Sequence, residues 1–318
     1  MSEQIRILIA DEMSTEAERI LREGGLTVDV ITGKTGDELK QIIGNYHGLA
    51  VRSASKVTAD VFAKATNLKI VGRAGVGVDN IDVKAATAAK VSVINTPAGN
   101  GTAAGELAIA YMFALARKLP QSTASMKAGK WDKKSFSGVE ITGKTLGVVG
   151  FGNIGKLVAD RGVGLRMKVL AFDPMLPAGA VPPTGVELVT FEDLVKRSDF
   201  VTLHIPLVDS TRNLFSRETL LKMKKSAYLI NCARGGIVDE SALYEVMKSG
   251  HLAGAALDVF GEEPCGPLPL FELDNVLASP HTGASTKEAQ VKVAIELAEV
   301  FVDYFKNGKL RNAVNKVD

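Results

Sequence analysis

Short β-branched runs alternate with helical stretches in two successive series, and this rhythm constrains the chain most. Ile5-Arg6-Ile7-Leu8-Ile9-Ala10 reads as a strand. After Asp11 comes a helical stretch over residues 16–23, with Ala17, Ile20 and Leu21 on one face, and Gly24-Gly25 ends it. Residues 28–30, 48–51, 70–72 and 91–94 read as the next strands. The second series has six strand candidates at 146–149, 169–172, 200–203, 227–230, 253–257 and 276–278. An alanine-rich helix over 102–118 separates the series, and another runs from about Thr286 to Lys306. This βαβα order predicts parallel sheets with helices on both faces.

At 318 residues the chain has room for two domains. The last eighteen or so residues are too few for a third, and are expected to return to the first domain. The expected architecture is α/β, with two doubly wound, parallel-sheet domains and a cleft between them. Residues 1–97 and 287–318 would form a discontinuous substrate-binding domain around a nucleotide-binding domain over 98–286.

Gly150-Phe151-Gly152-Asn153-Ile154-Gly155 fits G-x-G-x-x-G between a strand and an apolar helix. In that setting the glycines permit a tight turn, close backbone approach to a pyrophosphate, and close helix–strand packing. The helix N-terminus offers N–H groups to phosphate. Asp173 closes the next strand, where a carboxylate can accept from ribose hydroxyls, and Pro174-Met175-Leu176 supplies no arginine for a 2′-phosphate. A Rossmann-type domain binding NAD rather than NADP is expected.

Three further segments sit at carboxyl ends of predicted strands, the edge where doubly wound sheets bind ligands. They are Asn231-Cys232-Ala233-Arg234-Gly235-Gly236, Asp258-Val259-Phe260-Gly261-Glu262-Glu263-Pro264, and Ser279-Pro280-His281-Thr282-Gly283. An Arg, a Glu and a His meeting there suit hydride exchange with a 2-hydroxy acid. Arginine's planar fork holds the substrate carboxylate, histidine moves the hydroxyl proton, and a carboxylate orients the imidazole and favours its charged form. Each also has a plainer reading: Arg234 as a helix cap or surface ion pair, Glu262 and Glu263 as a solvated turn. Of the four histidines, His47 and His251 lie in turns, His204 ends a strand near the cofactor site, and His281 suits acid/base work best.

Charge and cysteine usage narrow the classes. Lys plus Arg total 38 against 36 Asp plus Glu, a formal charge of +2, which argues against broad nucleic-acid or membrane binding. Cys232 and Cys265 are far apart, so neither a disulfide scaffold nor a metal site is expected. No signal peptide and no apolar run near ~18 residues is present, so the expected location is cytoplasmic.

The chain resembles the D-isomer-specific 2-hydroxyacid dehydrogenases over nearly its whole length. The resemblance is carried by Val51-Arg52-Ser53-Ala54, by residues 71–80 (VGRAGVGVDN), by Asn95-Thr96-Pro97, by the three segments above, and by His281-Thr282-Gly283-Ala284-Ser285-Thr286. It implies NAD-dependent oxidation of 3-phospho-D-glycerate to 3-phosphohydroxypyruvate, the entry step of serine biosynthesis. Within it, Arg234 anchors substrate, Glu263 partners the histidine, and His281 is the acid/base. The resemblance further implies substrate contacts from Arg52, Ser53, Arg73, Gly75, Val76 and Asn100, with Lys133 reaching the phosphate from a neighbouring subunit. Cofactor contacts would come from Val76, the glycine loop with Asn153 and Ile154, Asp173, His204, Ile205, Cys232, Ala233, Arg234, Asp258, His281, Gly283 and Ala284.

The sequence departs from the family pattern in having Val76 and Ile205 where threonine is common, Asn153 for a frequent basic residue, and Ala98 where asparagine is often seen. The resemblance also implies a homodimer through the segment around Ala103 to Trp131, and, if the native chain ends at residue 318, no serine control through a C-terminal regulatory domain is expected. Other readings are a glyoxylate or hydroxypyruvate reductase, which has little use for a paired Arg52 and Arg73, and an NAD-sensing corepressor-type binding protein. A formate dehydrogenase fits less well, because hydride transfer from formate needs no proton acceptor.

Overall fold

The computed structural model describes residues 4–34, 36–177 and 179–317. The chain forms two units, one built from residues up to Gly101 and from Ala284 onward, the other from Thr102–Gly283.

Among its described residues the first unit holds five parallel strands: β1 (Arg6–Ile9), β2 (Thr27–Val30), β3 (Gly48–Val51), β4 (Ile70–Arg73) and β5 (Ser92–Ile94). Their order is β2-β1-β3-β4-β5, so the winding reverses between β1 and β3. Ile7, Leu8, Leu49, Val51, Ile70, Val71 and Val93 are all buried, as expected of parallel strands covered on both faces. One face packs on the helix Lys287–Asn307, whose Leu297 and Phe301 lie over Gly48 and Gly72. That helix is capped by the Thr286 side chain, which accepts from the Ala289 N–H, and ends at Gly308 with φ +64°. After it the chain returns to β5: Ala313 bridges Ile94 antiparallel, and the Val314 N–H donates to the Val93 carbonyl at 2.8 Å.

Among its described residues the second unit holds seven parallel strands: β6 (Thr145–Val149), β7 (Lys168–Phe172), β8 (Val186–Leu188), β9 (Phe200–Leu203), β10 (Tyr228–Asn231), β11 (Gly254–Leu257) and β12 (Val276–Ala278). The order β12-β11-β10-β9-β6-β7-β8 reverses between β6 and β9. Six of these match the expected strands. β8 is the addition: a three-residue edge strand, paired on one side only, whose apolar run is interrupted by the exposed Glu187. The expected helix over 102–118 is Gly101–Arg117, and Lys118 with φ +49° turns the chain into a second helix, Leu119–Lys127. Among the described residues, no helix is long and apolar enough to cross a membrane.

The close seating of the Lys287–Asn307 helix depends on small residues beneath it. A Cβ on Gly72 would fall 2.3 Å from Leu297 Cδ1 and 2.6 Å from Phe301 Cε1, whereas one on Gly36 would meet nothing within 4 Å. Gly72→Ala is therefore expected to lower stability by about 1–3 kcal/mol through overpacking, read as a lower urea midpoint. Gly36→Ala should leave the midpoint unchanged or slightly raised, and equal midpoints for the two variants would contradict the packing argument.

Candidate active site

The turn after β6 gives each glycine of the G-x-G-x-x-G run a separate task. Gly150 has φ +94°, a region that favours glycine, and a Cβ there would strike the His204 carbonyl oxygen at 2.4 Å. Gly152 caps the helix Asn153–Gly164 without a side-chain hydrogen bond, and a Cβ on it would point into open space. Gly155 must lack a Cβ because one would lie 1.9 Å from the Gly150 carbonyl oxygen. The open face at Gly152 and the uncapped first-turn N–H groups of Asn153 and Ile154 fit a pyrophosphate.

Asp173 follows β7, where its carboxylate accepts from the Phe151 N–H at 2.8 Å and the Met175 N–H at 2.9 Å. It lines a cavity of about 610 Å³ together with Phe172, Leu176, Val189 and Thr190. Arg197 also lines this cavity but is paired bidentately with Glu187 at 2.9 and 2.8 Å. Carboxylate, glycine cradle and cavity together fit a dinucleotide without a 2′-phosphate.

The neighbouring strands β10, β11 and β12 deliver the Arg, Glu and His segments at their carboxyl ends. Asn231 shapes the first: its side-chain oxygen accepts from the Ala233 N–H at 3.0 Å and its amide donates to the Arg234 carbonyl at 2.9 Å. Arg234 is half-buried, with Nη1 donating to the Ala233 carbonyl at 2.7 Å. A Cβ on Gly235 would lie 1.7 Å from the Phe260 carbonyl oxygen, so the loops after β10 and β11 touch.

Of the two adjacent acids, Glu263 meets the histidine. Its Oε1 accepts from the Phe260 N–H at 3.1 Å, and its Oε2 lies 2.6 Å from His281 Nδ1. A carboxylate oxygen accepts, so Nδ1 carries the proton and Nε2 is left for exchange with another group. His281 itself has φ +51°, a conformation costing roughly 1–2 kcal/mol for a residue with a Cβ.

Asp258 holds that conformation. Its carbonyl accepts from the His281 N–H at 2.8 Å, and its carboxylate accepts from the Thr282 and Gly283 N–H groups at 2.7 Å each. The side chain expected beside the cofactor is fully buried, with both oxygens engaged by the His281 loop. Asp258 and Asn231 as organisers escaped sequence reasoning; an acid and an amide ending two successive strands were the available signal.

Other expected positions have different surroundings. His204 shares a hydrogen bond with the Thr202 hydroxyl at 2.9 Å, and burial lowers its pKa to about 4, so it is neutral and suited to packing rather than proton exchange. Burial pushes the Cys232 thiol well above its usual range, which makes it a poor nucleophile. Ile205 is buried, with its Cγ2 2.7 Å from where a Gly150 Cβ would stand. Gly283 is buried and Ala284 is half-buried at the start of the first unit's second segment. Lys133 is exposed.

In the first unit the expected anion-binding residues cluster after β3 and β4, beside the β1/β3 reversal. Asp11 accepts from the Arg52 N–H at 2.6 Å and from the Ser55 hydroxyl at 2.6 Å. Asn80 donates to the Arg52 and Ser55 carbonyls at 2.8 and 2.6 Å. Arg73 Nε donates to the Arg52 carbonyl at 3.3 Å, and its Nη1 bonds the Gly77 carbonyl and lies 3.7 Å from Asp79. Ser53 is exposed. The Gly75 N–H donates to Thr96 Oγ1 at 2.7 Å, and Asn95 donates to the Val76 carbonyl at 2.6 Å. Asn100 is buried, and its Oδ1 has no hydrogen-bond partner among the described residues. Asp11 and Asn80 are the organisers here, and neither stood out in the sequence.

Residues 109–283 match the family described as D-isomer specific 2-hydroxyacid dehydrogenase, NAD binding domain. The chain is 47% identical over 312 residues to D-3-phosphoglycerate dehydrogenase of Methanocaldococcus jannaschii, covering 98% of this chain and 59% of that protein. It is 47% identical over 310 residues to the Rattus norvegicus protein of the same name, covering 98% and 58%. The chain thus spans somewhat under three-fifths of the length of these curated relatives. The solved structure of the TT0316 protein from Thermus thermophilus superposes with a TM-score of 0.88 at 33% identity, covering 98% of this chain and 100% of that one. The chain belongs to the D-isomer-specific 2-hydroxyacid dehydrogenase family.

Two measurements follow from the geometry. Gly152→Ala should keep the melting temperature while weakening NAD binding at least about tenfold by calorimetry, because its Cβ blocks only an approaching phosphate. Gly155→Ala should lower the melting temperature itself, and intact NAD affinity in Gly152→Ala would contradict the cradle. His204 binds its proton less readily in the fold than the ordinary 6.5, so the unfolded chain binds more protons between pH 6.5 and about 4. Stability is therefore lost as pH falls through that window, and His204→Gln should flatten the loss in urea titrations at pH 7, 5.5 and 4.5.

Proposed function

We propose that this D-isomer-specific 2-hydroxyacid dehydrogenase oxidises 3-phospho-D-glycerate to 3-phosphohydroxypyruvate with NAD, the reaction that commits carbon to serine. The observation that carries the reading is the 2.6 Å contact between His281 Nδ1 and Glu263 Oε2, which leaves Nε2 as a proton acceptor. Relatives at 46–47% identity that bear the name D-3-phosphoglycerate dehydrogenase support the choice of substrate.

His281 Nε2 takes the proton of the C2 hydroxyl as the C2–H bond gives up its electron pair. When bound, NAD⁺ supplies the acceptor for that hydride. Arg234 pairs with the substrate carboxylate and polarises the C2 oxygen. Glu263 keeps the imidazole in the tautomer that accepts, then stabilises the imidazolium formed. The return of the proton in the reverse direction uses the same atoms.

The 3-phosphate is assigned to Arg52, Ser53 and Arg73, with Lys133 of a neighbouring copy. Gly75, Val76 and Asn100 contribute to substrate binding. Cofactor contacts are assigned to Asn153, Ile154, Asp173, Ile205, Ala233, Gly283 and Ala284. Exposed Leu119, Met126 and Trp131 on and just after one helix support a homodimer through that segment. The near-neutral charge supports a cytoplasmic enzyme acting on a metabolite rather than on nucleic acid or membrane.

A substrate panel tests this. With NAD⁺ and chemical removal of the keto product, 3-phospho-D-glycerate should be oxidised at least about a hundredfold more efficiently than D-glycerate, the scale of losing two charge-assisted contacts. Equal efficiency would favour a reductase of unphosphorylated hydroxy acids, and no turnover of any member would favour a binding protein. His281→Ala should cut kcat by about 10²–10⁴-fold while NAD affinity stays within about threefold.

A further inference from the structure

We propose that Tyr111 and Ser279 are positioning residues for His281, forming a hydroxyl chain that runs from the Gly101–Arg117 helix to the loop bearing the acid/base. The inference rests on the acid/base reading of His281 given above. Tyr111 is buried, and its hydroxyl donates to Ser279 Oγ. Ser279 Oγ in turn donates to Asp258 Oδ1, the oxygen that also accepts from the Thr282 N–H at 2.7 Å and the Thr282 hydroxyl at 3.1 Å.

The polarity of this chain is fixed at its far end. A carboxylate oxygen already receiving a backbone N–H can only accept, so Ser279 must spend its single proton on Asp258. Its oxygen is then an acceptor, and Tyr111 supplies the donor. Burial pushes the Tyr111 hydroxyl up to about 12, so it stays a donor throughout the working range. Ser279 and His281 are two residues apart, and the His281 N–H is shared between the carbonyls of Asp258 and Ser279 at 2.8 and 3.0 Å. The left-handed turn at His281 is thus held on one side by Asp258 and on the other by a serine whose rotamer Tyr111 fixes. Nothing in the proton transfer itself needs a tyrosine on that helix, whereas a catalytic imidazole misplaced by a fraction of an ångström loses rate.

Full-length protein with Tyr111→Phe, Ser279→Ala, the double variant, Ser279→Thr and His281→Ala tests the chain. Tyr111→Phe is expected to lower kcat about 3- to 10-fold, the worth of one hydrogen bond, with KM for the hydroxy acid and the calorimetric Kd for NAD within about twofold. Ser279→Ala should lower kcat at least as far, the double variant no further, and Ser279→Thr should restore much of the loss by keeping a hydroxyl. Additive losses in the double variant, unchanged kcat in Tyr111→Phe, or a fall in NAD affinity parallel to kcat would overturn the proposal. His281→Ala separates the two readings: retained turnover in that variant defeats the acid/base role, whereas lost turnover there with an unaffected Tyr111→Phe defeats only the positioning chain.

Discussion

Asp258 is completely buried, and its carboxylate accepts from a serine hydroxyl, a threonine hydroxyl and two backbone N–H groups. A buried carboxylate without partners is costly by several kcal/mol, so the loop from Ser279 to Gly283 must fold around it in one way. That requirement forces His281 into a left-handed backbone conformation and directs its ring at Glu263. The contact between His281 and Glu263 is a consequence of satisfying one buried carboxylate.

The same logic recurs at a second carboxylate. Asp11, also buried, accepts from the Arg52 and Ser55 N–H groups and the Ser55 hydroxyl, while Asn80 ties down the carbonyls of the same loop. Each sheet places such a loop at the carboxyl ends of its strands, where the backbone leaves the ladder and polar groups need new partners. In the first unit the reversal between β1 and β3 puts Asp11 beside Arg52. In the second, the loop after β6 meets the His204 carbonyl that follows β9.

Much of this is legible in the amino-acid sequence. Central strands such as β3 and β9 are buried on both faces and read as apolar runs, and edge strands such as β2 still alternate, so eleven of the twelve strands among the described residues stand out. β8 does not, because Val186–Leu188 is three residues long with the exposed Glu187 at its centre, which leaves no apolar run to read. The glycine run was legible because only glycine meets the steric demands at positions 150 and 155, where a Cβ would strike backbone. The choice between Glu262 and Glu263 was open in the residues themselves, since adjacent acids differ only in where the turn aims them. Tyr111 lies within an alanine-rich helix, where a hydroxyl leaves no mark on periodicity.

Steric exclusion and apolar patterning act locally or along one element, so the alternating α/β order, the dinucleotide cradle and the three segments bearing Arg, Glu and His are written in the residues alone. Hydrogen-bond partnership joins residues far apart in the chain and emerges with the folded arrangement: Glu263 rather than Glu262 against His281, Asp258 as the anchor of the His281 loop, and Tyr111 in line with Ser279 across 168 residues.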